Sequence, residues 1–146
     1  VARPGWPVGK GSSTVQVNNL PQSTALNPLA LIIEDDDVLA TMYAEALRRV
    51  HFKTVIVSDG ATALAQAKAL APALIILDLH LPHLSGIDIL HQIRQDAALT
   101  QVHVIVTTAD SARAATVQSE ADLVLIKPVS VMQLRDLARR IRSTLA

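Results

Sequence analysis

From Leu29 onward the chain alternates four-residue apolar runs with helix-length segments whose apolar positions recur every three or four residues. A strand-length apolar run followed by an amphipathic helix is the repeating unit of a parallel sheet, in which helices cover the sheet and each connection crosses over. Five such units are present, with strands at Ala30-Leu31-Ile32-Ile33, Thr54-Val55-Ile56-Val57, Leu74-Ile75-Ile76-Leu77, Val104-Ile105-Val106-Thr107 and Leu123-Val124-Leu125-Ile126. The first helix starts near Asp37 and places Leu39, Met42, Ala46 and Val50 on one face, and the second is alanine-rich and ends at Pro72. The third turns Ile87, Leu90 and Ile93 inward, and the fourth is short, around Ala112 to Gln118. The last opens at Ser130, three residues before Gln133 in a capping-box pattern, and buries Val131, Leu134, Leu137, Ile141 and Leu145. Because Leu74 to Leu77 is wholly apolar, it is expected at the centre of the sheet, covered on both faces.

Residues 1–28 have a different texture, with Pro, Gly, Ser and Asn in punctuating positions and Trp6 as an isolated aromatic. They are read as a tail or linker ahead of a folded unit at residues 29–146. Within the tail, Thr14-Val15-Gln16-Val17-Asn18 alternates enough to add a strand to an exposed sheet edge, although short alternating stretches in polar tails are more often unstructured. Gly5-Trp6-Pro7-Val8-Gly9-Lys10-Gly11 imitates a phosphate loop but has one residue too few between its glycines, Gly11 in place of Ser or Thr, and no strand before it.

With half of its 146 residues apolar, the chain can build one core without metal or disulfide staples. It has no cysteine, which excludes disulfides, zinc-thiolate sites and thiol chemistry. Formal charge sums to zero, so no overall field favours nucleic acid or an anionic membrane. No apolar run approaches the roughly 20 residues that span a bilayer. A cytoplasmic protein is expected, with no direct contact to nucleic acid or membrane and with no room after the last helix for an output domain.

In open parallel sheets ligands bind beyond the carboxyl ends of the strands. The residues there are Glu34, Asp35, Asp36 and Asp37 after strand one, Asp78 after strand three, Thr108 after strand four and Lys127 after strand five. If strands one and three are neighbours, Glu34, Asp35 and Asp78 converge, and each carboxylate pair near 4 Å repels by about 4 kcal/mol at an effective dielectric of 20. Such a cluster calls for a hard divalent cation, and Mg²⁺, which shares its coordination with phosphate oxygens, suits it. Asp78 then has the surroundings of a nucleophile toward phosphorus, with Lys127 as a point charge on the transferred group and Thr108 as a hydroxyl donor. Asp36 or Asp37 is expected only to cap the helix that follows.

These residues resemble the response-regulator receiver family over essentially all of Leu29 to Ala146. The resemblance lies in Ile32-Ile33-Glu34-Asp35-Asp36, in Ser58-Asp59-Gly60-Ala61-Thr62-Ala63-Leu64, in Leu77-Asp78-Leu79-His80-Leu81-Pro82-His83-Leu84-Ser85-Gly86, in Val106-Thr107-Thr108-Ala109 and in Ile126-Lys127-Pro128. It implies a doubly wound α/β fold of the flavodoxin-like (βα)5 type, with a five-stranded parallel sheet in the order 2-1-3-4-5. It further implies Mg²⁺ held by Glu34, Asp35, Asp78 and the backbone carbonyl of His80, and a phosphoryl group received on Asp78 from a histidine kinase or phosphotransfer protein. Lys127 would pair with that group and Thr108 would move toward it. The module would catalyse only its own phosphorylation and dephosphorylation, would switch the binding of a downstream protein, and leaves a homodimer open.

Three positions depart from the family pattern. Val124 stands where an aromatic is common, the stretch from Thr108 to Lys127 looks about one turn short, which would truncate helix four, and His51 replaces a glycine that lets the chain turn after helix one. Other readings are weaker. A haloacid-dehalogenase-type hydrolase needs a second Asp where His80 stands; a transition-metal site at His80 and His83 lacks helical ligand spacing; and Arg135, Arg139 and Arg142, on one helix face, suit solvent or protein docking better than nucleic acid. A receiver that binds partners without being phosphorylated is the nearest rival.

Overall fold

The computed structural model describes residues 27–145. The tail readings at Thr14 to Asn18 and at Gly5 to Gly11 lie outside the described residues. Among the described residues, five strands alternate with five helices: β1 (Leu29–Ile33), α1 (Asp37–Arg48), β2 (Lys53–Val57), α2 (Gly60–Leu70), β3 (Leu74–Asp78), α3 (Gly86–Gln95), β4 (His103–Thr108), α4 (Ser111–Val117), β5 (Leu123–Ile126) and α5 (Val131–Thr144). A short 3₁₀ turn at Ala97–Leu99 leads into β4. All strand pairs are parallel and the order is β2-β1-β3-β4-β5, the doubly wound topology expected.

Side-chain alternation along the strands divides the core in two. Ala30, Ile32, Leu74, Ile76, Ile105 and Leu125 face α1 and α5, whereas Leu31, Ile33, Ile75, Leu77, Val104 and Val106 face α2, α3 and α4. β3 is buried from end to end, which explains its continuous apolar run. Each such Leu or Ile contributes about 1.5–3 kcal/mol, enough to exceed the backbone ordering cost of about 1–2 kcal/mol per residue.

The buried face of α1 is rotated from the expected one. Ala40, Tyr43, Ala44, Ala46 and Leu47 form it, while Met42 remains 41% exposed. Small side chains at Ala40 and Ala44 leave room for Tyr43 to fill the space against the sheet, and Met42 is turned outward toward the β5–α5 connection.

The helices begin alike. Asp36, Asp59, Ser85, Asp110 and Ser130 cap α1 to α5 by accepting first-turn backbone N–H groups. Asp36 does so from Val38 and Leu39, as expected. Each cap follows the carboxyl end of a strand, so five helix N-termini lie along the edge where the acidic residues cluster. α4 has seven residues, against ten to fourteen in the other helices.

His51 terminates α1 in a left-handed conformation with φ 70°. Phe52 N–H returns to the Leu47 carbonyl and His51 N–H to that of Arg48, each at 3.1 Å, the paired bonds of a Schellman ending whose left-handed position favours glycine. The strain of a Cβ there is about 1 kcal/mol. His51→Gly should therefore raise stability by about 1 kcal/mol, seen as a higher thermal midpoint; an unchanged or lower midpoint would show that the imidazole contributes more than the strain removes.

Candidate functional site

β1 and β3 are adjacent, and the residues that follow Ile33 and Leu77 emerge side by side. Glu34 is 1% and Asp78 3% exposed, while Asp35 is exposed. One oxygen from each of Glu34, Asp35 and Asp78 lies within 4.8 Å of the others, a grouping that can hold a metal ion. Hard carboxylate oxygens with one open side fit a divalent ion that keeps waters and shares its remaining positions with an incoming anion. Among the described residues no other group of three His, Cys, Asp or Glu is so arranged, and His80 and His83 are not drawn into one.

Lys127 reaches the pair from the end of β5. Its Nζ donates to Glu34 Oε1 at 3.0 Å and lies 3.5 Å from Asp78 Oδ2. The other sides of the carboxylates meet backbone: Asp36 N–H donates to Glu34 Oε2 at 3.2 Å and His80 N–H to Asp78 Oδ1 at 3.0 Å. Burial pushes the Glu34 carboxyl up to about 7, with the charge of Asp78 adding to the rise and the hydrogen bonds from Lys127 and Asp36 opposing it. For Lys127, burial pulls down, but the hydrogen bond to Glu34 and the charges of Asp78 and Glu34 prevail, and its pKa is raised.

Thr108 is fully buried at the end of β4, and its Oγ1 accepts the Asp110 N–H at 3.0 Å. Its carbonyl accepts the Lys127 N–H at 2.8 Å. Thr108 thus joins the lysine strand on one side and, through Asp110, the cap of α4 on the other. Val124 is half-buried among the residues of the α2, α3 and α4 face.

Two residues of the site carry roles that sequence reasoning did not assign. A Cβ on Gly86 would overlap the backbone carbonyl of Asp78 and the Cα of Leu79, so only glycine lets α3 start against the loop that carries Asp78. Its place in the loop motif was a signal, but the close approach is a tertiary fact. His83 has φ 72° and sits between Pro82 O and Leu84 N–H, bonded at 2.8 Å, a γ-turn of the rare, strained hand.

A family description, the response regulator receiver domain, matches residues 30–139. The DNA-binding response regulator MtrA of Mycolicibacterium smegmatis is 33% identical over 115 residues, covering 79% of this chain and 49% of that protein. The sensory transduction protein RegX3 of the same organism is 33% identical over 115 residues, with the same shares covered. The chain spans about half the length of these curated relatives. Among solved structures, the receiver domain of a Pseudomonas aeruginosa sensor histidine kinase, with a magnesium ion coordinated in its active-site cleft, superposes with TM-score 0.72 at 25% identity, covering 80% of this chain and 98% of that one. A CheY-like receiver domain from Methylobacillus flagellatus shares the fold with TM-score 0.69 at 24% identity, covering 79% and 98%.

The elevated Glu34 pKa makes cation binding compete with a proton. Below about 7 Glu34 is protonated in the cation-free protein, so affinity should rise with pH and level off above 7. Titration with Mg²⁺ should give an affinity about tenfold higher at roughly pH 8 than at roughly pH 6, and Glu34→Gln should flatten the profile. The same slope in Glu34→Gln would place the competing proton elsewhere.

Proposed function

Because the chain belongs to the response-regulator receiver family, we propose that Asp78 accepts a phosphoryl group from a histidine kinase or phosphotransfer protein in a Mg²⁺-dependent reaction, and that the acyl-phosphate form switches a protein-binding surface. The receiver module is a signalling unit; the residue roles are the substance of the proposal. What carries it is the convergence of two carboxylates and one ammonium, from the ends of β1 and β5, around the carboxylate of Asp78 at the end of the central strand.

The chemistry follows from charge. An Asp78 oxygen attacks phosphorus in line with the leaving nitrogen of a phosphohistidine, forming an O–P bond as the N–P bond breaks, and negative charge spreads over the three equatorial oxygens. Lys127, held charged by its carboxylate neighbours, is placed to meet one of those oxygens. Thr108, whose Oγ1 accepts the Asp110 N–H, can donate its hydroxyl hydrogen to another by turning toward it, which would strain or break that bond. A Mg²⁺ held by Glu34, Asp35, Asp78 and the His80 carbonyl would neutralise the rest and offset the carboxylate repulsion. Every position that the chemistry needs is filled, which leaves the phosphorylation-independent receiver without a supporting observation.

The proposed unit runs over residues 29–146, with residues 1–28 as tail or linker. No helix among the described residues is long and apolar enough to cross a membrane. The expectation of no nucleic-acid contact gains nothing from the comparisons, since MtrA is a DNA-binding regulator. On α5 of this chain, Arg139 pairs with Asp136 at 2.9 Å and Arg135 and Arg142 are half-buried, so the three do not present a free basic stripe.

Incubation with Mg²⁺ and a small acyl-phosphate donor should add one base-labile phosphoryl group, measured by intact mass, and Asp78→Asn should abolish it. Mass gain that survives Asp78→Asn would mean that another residue is the acceptor. Output should run through the Thr108–Asp110 link. Beryllofluoride with Mg²⁺ should shift backbone amides from Ala109 to Gln118 more than those of Leu123 to Ile126, because the half-buried, β-branched Val124 has little room to sweep. Silence across Ala109 to Gln118 would overturn that route.

A further inference from the structure

Lys127 has three N–H donors and directs them at two acceptors, Glu34 and Asp78, both of which belong to the carboxylate group that can hold a cation. A cation that engages those oxygens withdraws them from the lysine. Its side chain is only 19% exposed, and a largely buried ammonium stripped of acceptors is strongly destabilised. A second acceptor close by would remove that penalty.

Tyr43 has the complementary deficit. It is 1% exposed, and its hydroxyl has no hydrogen-bond partner among the described residues, although buried phenols ordinarily find one. Tyr43 and Lys127 line the same cavity of about 420 Å³, whose other walls are Leu39, Met42, Pro128 and Val129. These walls bring no side-chain oxygen or nitrogen, so the phenol is the one side-chain oxygen among the residues that line the cavity with the ammonium. Burial pushes the Tyr43 pKa up, and the largest charge opposing that rise is Lys127.

We propose that Tyr43 is a positioning residue for Lys127: its hydroxyl accepts the ammonium when a divalent cation withdraws the carboxylates that otherwise hold it. The inference rests on reading Glu34, Asp35 and Asp78 as a cation site. Two discrete partners then give Lys127 two positions, one over the carboxylates before the cation arrives and one beside α1 afterwards. The unpartnered hydroxyl is the cost of keeping the second position ready. Thr107, whose buried hydroxyl is also unpartnered and which pairs in register with Asp78, is the rival acceptor.

Tyr43 is the only tyrosine of the chain, so a tyrosine 13Cζ label reports its hydroxyl alone. With MgCl₂ as the sole addition, the tyrosine resonance should shift over the same concentrations as the Asp35 amide. In Lys127→Met the amide response should remain and the tyrosine response vanish, whereas Thr107→Val should keep both. Tyr43→Phe should melt no lower than the parent without Mg²⁺, yet bind Mg²⁺ about fivefold more weakly, the scale of one modest net hydrogen bond. A silent tyrosine while the Asp35 amide saturates, a tyrosine shift that persists in Lys127→Met, or unchanged Mg²⁺ affinity in Tyr43→Phe would each overturn the role of Tyr43 and leave the cation site standing. An Asp35 amide that never responds to Mg²⁺ would overturn the cation site itself, and this proposal with it.

Discussion

One ammonium serves two buried carboxylates, and the rest of the architecture can be understood as making that imbalance tolerable. Glu34 and Asp78 are almost wholly removed from water, and Lys127 reaches both from the end of β5, the edge strand. At about 4 kcal/mol for a like-charged pair near 4 Å under an effective dielectric of 20, the repulsion is comparable with a large part of a small domain's net stability. Backbone N–H groups of Asp36 and His80 take part of the load, and Glu34 takes more by holding its proton up to about 7. A site left in that condition has affinity for positive charge built into its fold.

The parallel sheet is what allows the imbalance to exist. Apolar runs on β1, β3 and β4 are buried on both faces, so polar side chains can appear only where the strands end, and all five end at the same edge. The crossover helices start there too, presenting capped N-termini to the acidic cluster. β3 carries Asp78 because the central strand has neighbours on both sides that supply partners, Glu34 from β1 and Lys127 from beyond β4. Gly86 fixes the loop after β3 from beneath.

Strand ends were legible in the sequence because an apolar run stops where burial stops, and Glu34, Asp35, Asp78, Thr108 and Lys127 could be read from that rule alone. The brevity of α4 was legible from spacing, and the left-handed turn at His51 from the family's glycine. Partnerships were not legible. Lys127 donating to Glu34 in preference to Asp78, and Thr108 bonded to the Asp110 backbone, depend on distances of a few ångströms set by strand register and loop course. The face of α1 was misread at Met42 because helical periodicity treats tyrosine as a weak core residue, whereas packing against the sheet is decided by shape, and the small Ala40 and Ala44 admit the ring of Tyr43.

α4 is the helix with the fewest buried residues, and this decides where a small movement at the site can be felt. Its seven residues are too few to be stable as an isolated helix, and it buries only Ala114 and Val117. Its N-terminus depends on the Asp110 cap, and the Asp110 backbone depends in turn on the Thr108 hydroxyl. α5, by contrast, has fourteen residues and buries Leu134, Ala138 and Ile141. A hydrogen bond is worth about 1 kcal/mol net, too little to disturb α5 but a sizeable fraction of what holds one short helix in register. If Thr108 exchanged its bond to Asp110 for one to a phosphoryl oxygen, as proposed, the free-energy change would therefore fall on the shortest helix.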